Sequence, residues 1–166
     1  GFCYCRLYRD LAHDGRQGRI NWFRSMADLF DLPGSLGAYA LLIQLPRSLT
    51  LPIPRLQSPT LAPGLYVYCG SARGPGGLAA RVGRHLRAEK PIRWHVDHLT
   101  TGGENAGRVL DVLCLPDGDE CELVGQLGAM SGVAVPVPGF GSSDCRQCRS
   151  HLLSVPTGFI LPTHSF

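Results

Sequence analysis

Lysine is almost missing from this chain. Of its sixteen basic residues, Lys90 is the one lysine, and arginine supplies the rest. Phosphate binding and a base-biased gene account for that equally well. Charged residues of either sign are also scarce, at 17%. With 44% hydrophobic residues, however, the composition is that of a globular chain and not of a disordered one. No run approaches the roughly 18 apolar residues of a membrane span, so no membrane partner is expected. No internal repeat is present, which excludes solenoids and propellers. No secretory h-region precedes the seven cysteines at 3, 5, 69, 114, 121, 145 and 148. Their odd number and irregular spacing argue against a disulfide framework and for reduced thiols in the cytoplasm.

What is present fits one domain. The chain has 166 residues, with 21 glycines and 13 prolines, a loop-rich mixture that argues against a helical bundle. The first methionine is Met26. Residues 1–25 show no clean period and read as an N-terminal extension, non-native or disordered; a helix using Leu7, Leu11 and Trp22 is the alternative. The domain is expected over 26–155, with 156–166 as a C-terminal tail. The segment after His151 reads as loosely ordered.

Three apolar runs read as strands: GAYALLIQL at 37–45, GLYVYC at 64–69 and RVLDVLCL at 108–115. Residues 47–63, with four prolines, read as extended or looped, with room for a short strand near 49–56. The glycine-rich stretch 70–77 reads as a loop. Leu78, Ala79, Val82 and Leu86 form a helical stripe over 78–89 that Pro91 ends. WHVDHLT at 94–100 is expected to be helical, as is CELVGQLGAM at 121–130 after a turn at 116–120. Residues 131–138 read as extended and 139–144 as a loop. The fold class is α+β: a small sandwich with a mainly antiparallel sheet of about three strands, flanked by helices.

Charge is unevenly spread. Between residues 73 and 93 lie Arg73, Arg81, Arg84, Arg87, Lys90 and Arg93 against Glu89 alone, a local surplus larger than the +3 of the whole chain. A basic stripe suits an anionic partner such as nucleic acid. A solvated, arginine-rich helix face is the plainer alternative.

An ordered series of small motifs lies on this framework. Gly37-Ala38-Tyr39 opens one strand, and Tyr68-Cys69-Gly70 closes the next. Arg81 and His85 then stand at i and i+4 on the helix, RVGRH, and Glu120 leads ECELV at the start of a later helix. The series resembles the GIY-YIG nuclease superfamily, whose pattern is G-[IVA]-Y, Y-[IV]-G, R-x-x-x-H and a helix-opening Glu. A subgroup sometimes attached to endonuclease III-type glycosylases carries longer matching stretches: YVYCGSARGPGGLAARVGRHLR, WHVDHL and GFGSSDC…SHL. The resemblance spans about 35–153. Cys69 departs from it, replacing a β-branched residue on the strand face opposite Tyr68. The loop Gly74-Pro75-Gly76-Gly77 also lengthens the path to Arg81.

The resemblance implies a metal-dependent endonuclease acting on DNA, with RNA left open, that leaves a 5′-phosphate and a 3′-hydroxyl. Tyr39 would activate the attacking water, with help, because a free phenol has a pKa near 10. Tyr68 would orient the water or the phosphate. Arg81 would present its planar fork to phosphate oxygens. His85 would orient Tyr39 or act as acid or base. Glu120 would hold one Mg²⁺ or Mn²⁺. Asp117, Asp119 and Glu122 are its rivals; Glu120 is preferred because Leu123 and Val124 match the apolar pair that follows the family's Glu, and Glu122 is the second choice. Gly70, Ser71, Arg73, Arg84, Arg87 and Lys90 are expected against the nucleic acid, and a repair protein is a plausible partner. A non-catalytic binding module of the same shape is the competing reading.

Two further groups stand out. His95, Asp97 and His98 could bind metal or nucleic acid from a helix; packing of Trp94 and ordinary hydrogen bonding by the histidines is the alternative. Cys145-x-x-Cys148-x-x-His151 offers three soft ligands, and a zinc site needs a fourth, from Cys69, His95 or His98. The plainer reading is reduced cysteines beside a structured loop, so Zn²⁺ is not the expected cofactor. Ser142, Ser143 and Asp144 read as a helix cap or a phosphate contact.

Overall fold

The computed structural model describes residues 34–162. The extension read over 1–25 lies outside the described residues. The fold is α+β. Strands β1 (Gly37–Leu45), β4 (Gly64–Ala72), β5 (Arg108–Pro116) and β6 (Leu152–Val155) form an antiparallel sheet in the order β5-β1-β4-β6. Strands β2 (Leu49–Thr50) and β3 (Thr60–Leu61) form a separate hairpin around a 3-10 turn at Pro54–Leu56. Helices α1 (Gly77–His85), α2 (His95–Thr100) and α3 (Glu120–Gly128) complete the domain, with a second 3-10 turn at Gly103–Asn105.

The sheet has four strands where the apolar runs suggest about three. Residues 152–155, expected to be loosely ordered, pair with Leu65–Tyr68 along the free edge of β4. Residues beyond them also pack inward: Leu161 is buried and Phe159 rests on the same core. Strand β4 runs on through Ala72, into the stretch read as a loop, because Gly70 to Ala72 stay in register with Gly37 to Tyr39. Helix α1 stops at His85, short of Glu89, and Arg87 N–H closes it on Arg84 O.

Strand alternation splits the core into two layers. Tyr39, Leu41, Ile43, Tyr66 and Tyr68 point to one face and pack with Leu78 and Val82 of α1, Val96 and Leu99 of α2, and Leu51, Ile53 and Leu61 of the hairpin segment. Ala38, Ala40, Leu42, Val67 and Cys69 point to the other and pack with Leu123, Val124 and Leu127 of α3. Cys69 is thus a packing residue of the layer opposite Tyr68. No helix among the described residues is long and apolar enough to cross a membrane.

Candidate active site and metal cluster

Register builds the centre of the site. Tyr39 on β1 stands opposite Gly70, and Tyr68 opposite Leu41, so the two tyrosines are diagonal neighbours on one face, with ring centroids 6.4 Å apart. A Cβ on Gly70 would lie 2.5 Å from Tyr39 Cζ. Glycine therefore leaves the space that the Tyr39 phenol fills. This packing role of Gly70 is separate from the nucleic-acid contact expected of it.

Helix α1 delivers the histidine. Leu78, Val82 and His85 recur at i, i+4 and i+7 and are buried as one stripe. His85 therefore lands against the sheet, with its Nε2 2.7 Å from Tyr39 Oη. Its other nitrogen, Nδ1, is buried without a hydrogen-bond partner and lies 3.7 Å from Asp97 Oδ1. That distance is electrostatic contact and not a hydrogen bond. The carboxylate favours the tautomer with hydrogen on Nδ1, which leaves Nε2 to accept from the Tyr39 hydroxyl.

Asp97 is fully buried but well supplied with donors. Arg84 Nη1 and Nη2 donate to its two oxygens at 2.9 and 3.0 Å, and the backbone N–H groups of Arg93 and Trp94 donate at 2.8 and 3.0 Å. Burial alone would raise its pKa; these hydrogen bonds outweigh burial and hold it below the usual carboxylate range. Asp97 is thus neither a metal ligand nor a nucleic-acid contact. Arg84, expected against the nucleic acid, is likewise committed: besides Asp97 it donates to Pro91 O at 2.6 Å and stacks on Trp94 at 4.3 Å.

Arg81 stacks on the same indole, also at 4.3 Å, yet has no carboxylate partner among the described residues. Its charge opposes the effect of burial on both tyrosines. Burial pushes the phenols of Tyr39 and Tyr68 above the ordinary tyrosine range, and it pushes His85 down to about 4. At neutral pH both hydroxyls keep their protons and the imidazole is uncharged. Glu120, first residue of α3, is half-buried, and its charge bears on Tyr39, Tyr68 and Cys69. Its rivals are placed differently. Asp117 is exposed; Asp119 is exposed and caps α3 by accepting from Glu122 N at 2.9 Å; Glu122 is exposed and takes a 3.4 Å contact from Gln126.

The other expected residues are dispersed. Ser71 is half-buried opposite Ala38, and Arg73 and Arg87 are exposed. Lys90 Nζ donates to Arg87 O at 2.7 Å and Thr100 O at 3.4 Å, bracing the turn after α1. His95 Nδ1 accepts from Gly141 N at 2.9 Å, and its ring packs on Phe140, so it secures a loop and is not a metal ligand beside Asp97. His98 is half-buried. No helix follows Asp144 among the described residues, so residues 142–144 cap none; Cys145 N–H instead closes a turn on Ser142 O.

A second constellation gathers where sequence gave three ligands. Cys121, Cys145, Cys148 and His151 each place one ligand atom within 4.8 Å of all the others, a group able to hold a metal ion. The fourth member is Cys121, from the first turn of α3, and not Cys69, His95 or His98. The backbone N–H of Cys148, 3.3 Å from the Cys145 sulfur, holds that thiol below its usual range. A cleft of about 500 Å³ between α3 and residues 147–150 adjoins this cluster and includes neither tyrosine.

The described chain is therefore an α+β domain with a buried Tyr–His–Asp chain on one sheet face and a Cys₃His group at the start of α3. The chain belongs to the family described as Domain of unknown function DUF123, which it matches over residues 38–161. Neither a curated protein nor a solved structure matches it.

Proposed function

We propose that this protein is a metal-dependent endonuclease that hydrolyses DNA phosphodiester bonds, leaving 5′-phosphate and 3′-hydroxyl ends. The observation that carries the reading is the 2.7 Å contact between Tyr39 Oη and His85 Nε2, beside Tyr68 and an arginine with no carboxylate partner among the described residues. A protonated phenol is a poor base by itself. Coupled to a neutral imidazole, it can take a proton from water at Oη while its own proton passes to Nε2. Asp97, 3.7 Å from Nδ1, stabilises the imidazolium that forms. Arg81 holds the non-bridging phosphate oxygens, and Tyr68 orients the attacking water.

Glu120 supplies a hard carboxylate oxygen in a half-buried place whose charge reaches both tyrosines, a donor suited to Mg²⁺ or Mn²⁺. When bound, the ion would act as a Lewis acid on phosphate oxygens. The exposed Arg73 and Arg87 extend the basic surface toward the backbone of the nucleic acid, so binding weakens with salt. The free cysteines among the described residues fit the reducing cytoplasm.

A second reading rests on one observation: Tyr39 is 1% exposed and Tyr68 7%. A binding module that keeps the motif's shape needs no water at these hydroxyls. One experiment separates the two. Purified protein is incubated with single-stranded, duplex, nicked, flap and branched DNA, and with RNA, in Mg²⁺, Mn²⁺ or EDTA. Metal-dependent nicking of DNA supports the enzyme. Salt-sensitive binding that is unchanged in EDTA, with no cleavage, supports the module.

A further inference from the structure

Three cysteines and a histidine, drawn from two distant parts of the chain, meet at one point. Cys121 is the second residue of α3, whereas Cys145, Cys148 and His151 lie on the segment that leads into β6. The Cys121 and Cys145 sulfurs are 3.4 Å apart. His151 is 3% exposed; its buried Nε2 makes no hydrogen bond of good geometry, and its imidazole bears on the Cys145 thiol. Burying an imidazole nitrogen without a partner is costly, and a Cys121–Cys145 disulfide would leave that cost in place. A single ion satisfies all four groups. Tetrahedral coordination with bonds of about 2.3 Å to sulfur sets ligand atoms roughly 3.8 Å apart, and these four already lie within 4.8 Å of one another.

We propose that Cys121, Cys145, Cys148 and His151 bind one Zn²⁺ as a permanent structural ion that ties the start of α3 to the entry of β6. The donor set selects the metal: three sulfurs and an imidazole suit Zn²⁺, whereas Mg²⁺ and Ca²⁺ take oxygen. Four protein ligands close the coordination shell, the mark of a structural and not a catalytic zinc. The Cys148 N–H aimed at the Cys145 sulfur is the outer hydrogen bond expected around a zinc-bound thiolate.

The ion would also bridge the candidate active site. Glu120 is the chain neighbour of Cys121, and His151 O accepts from Cys69 N at 2.9 Å, one residue from Tyr68. Zinc therefore fixes Glu120 relative to Tyr68, a consequence that rests on the nuclease reading, although the zinc site itself does not.

The test is elemental analysis and intact mass of protein purified under reducing conditions, followed by replacement of the metal with Co²⁺. The expected result is equimolar zinc, no iron, a fully reduced apo mass, and intense visible bands of tetrahedral cobalt with sulfur-to-metal charge transfer. Cys121→Ser loses the metal and Cys121→His keeps it. If Cys121→Ser does not fold, the wild-type cobalt spectrum decides. Absence of zinc, stoichiometric iron, a mass two hydrogens light, or a weak octahedral cobalt spectrum each overturns the proposal. Zinc-loaded protein that cleaves nothing overturns the nuclease reading and leaves the site standing; zinc-free protein that cleaves with Mg²⁺ does the reverse.

Discussion

Tyr39 and Gly70 are cross-strand partners, and the phenol of Tyr39 occupies the volume that a side chain on Gly70 would take. The second glycine of the paired motifs is therefore a requirement of the first tyrosine. Gly70→Ala puts a methyl 2.5 Å from Cζ of a tyrosine that is 1% exposed. Urea unfolding should show a loss of about 1–3 kcal/mol. Gly83→Ala is the control: nothing lies within 4 Å of its Cβ position in α1, so a gain of about 0.5–1 kcal/mol is expected.

The two arginines on Trp94 should separate stability from activity. Arg84→Ala strips the fully buried Asp97 of its bidentate partner, and breaking such a pair costs about 3–5 kcal/mol. Among the described residues Arg81→Ala loses its contact with the indole, about 1 kcal/mol or less, yet it removes the cation assigned to phosphate. Thermal melts and cleavage assays on both variants check the contrast.

His85 makes stability depend on pH. Unfolded, it binds a proton near 6.5; folded, only near 4. Between those values the unfolded state holds more protons, so stability is complete above pH 6.5 and falls as pH drops toward 4, by up to about 3 kcal/mol. Asp97 adds a separate loss at lower pH: its folded pKa lies below the ordinary 3.8, so its contribution disappears as it protonates in the folded state. His85→Gln should flatten the first slope and spare the second, as read from urea midpoints between pH 7 and 3.

Glu120 and Glu122 should differ in effect. Glu120→Gln removes the half-buried carboxylate whose charge reaches both tyrosines, and should abolish metal-dependent cleavage. Glu122→Gln changes an exposed side chain and should leave the rate within about two-fold, an energy difference below 0.5 kcal/mol. Single-turnover rates across a Mg²⁺ titration check both.

Local pattern made part of this legible. Apolar runs of nine and eight residues announce β1 and β5, and the Leu78–Val82 stripe announces α1, because each carries its period within itself. Strand β6 carries no such signal: four residues are too short a run, and their partner lies some 85 positions earlier on β4. The order of the motifs pointed to Tyr39, Tyr68 and His85 as one group, and the three rings do meet on one sheet face. The fourth member of the Cys₃His group was not legible, because Cys121 is 24 residues from Cys145 and only the fold brings them together. Asp97 misled for a similar reason: its neighbours in sequence are histidines, but its partners in space are Arg84 and His85.

The central claim is that the Tyr39 hydroxyl moves a proton. Tyr39→Phe keeps the ring and its packing and deletes only that oxygen. Its single-turnover cleavage rate, measured beside its DNA affinity, is the most direct test. The account predicts a rate lower by about 10²–10⁴-fold, with affinity unchanged. A Tyr39→Phe protein that cleaves at the wild-type rate would contradict it.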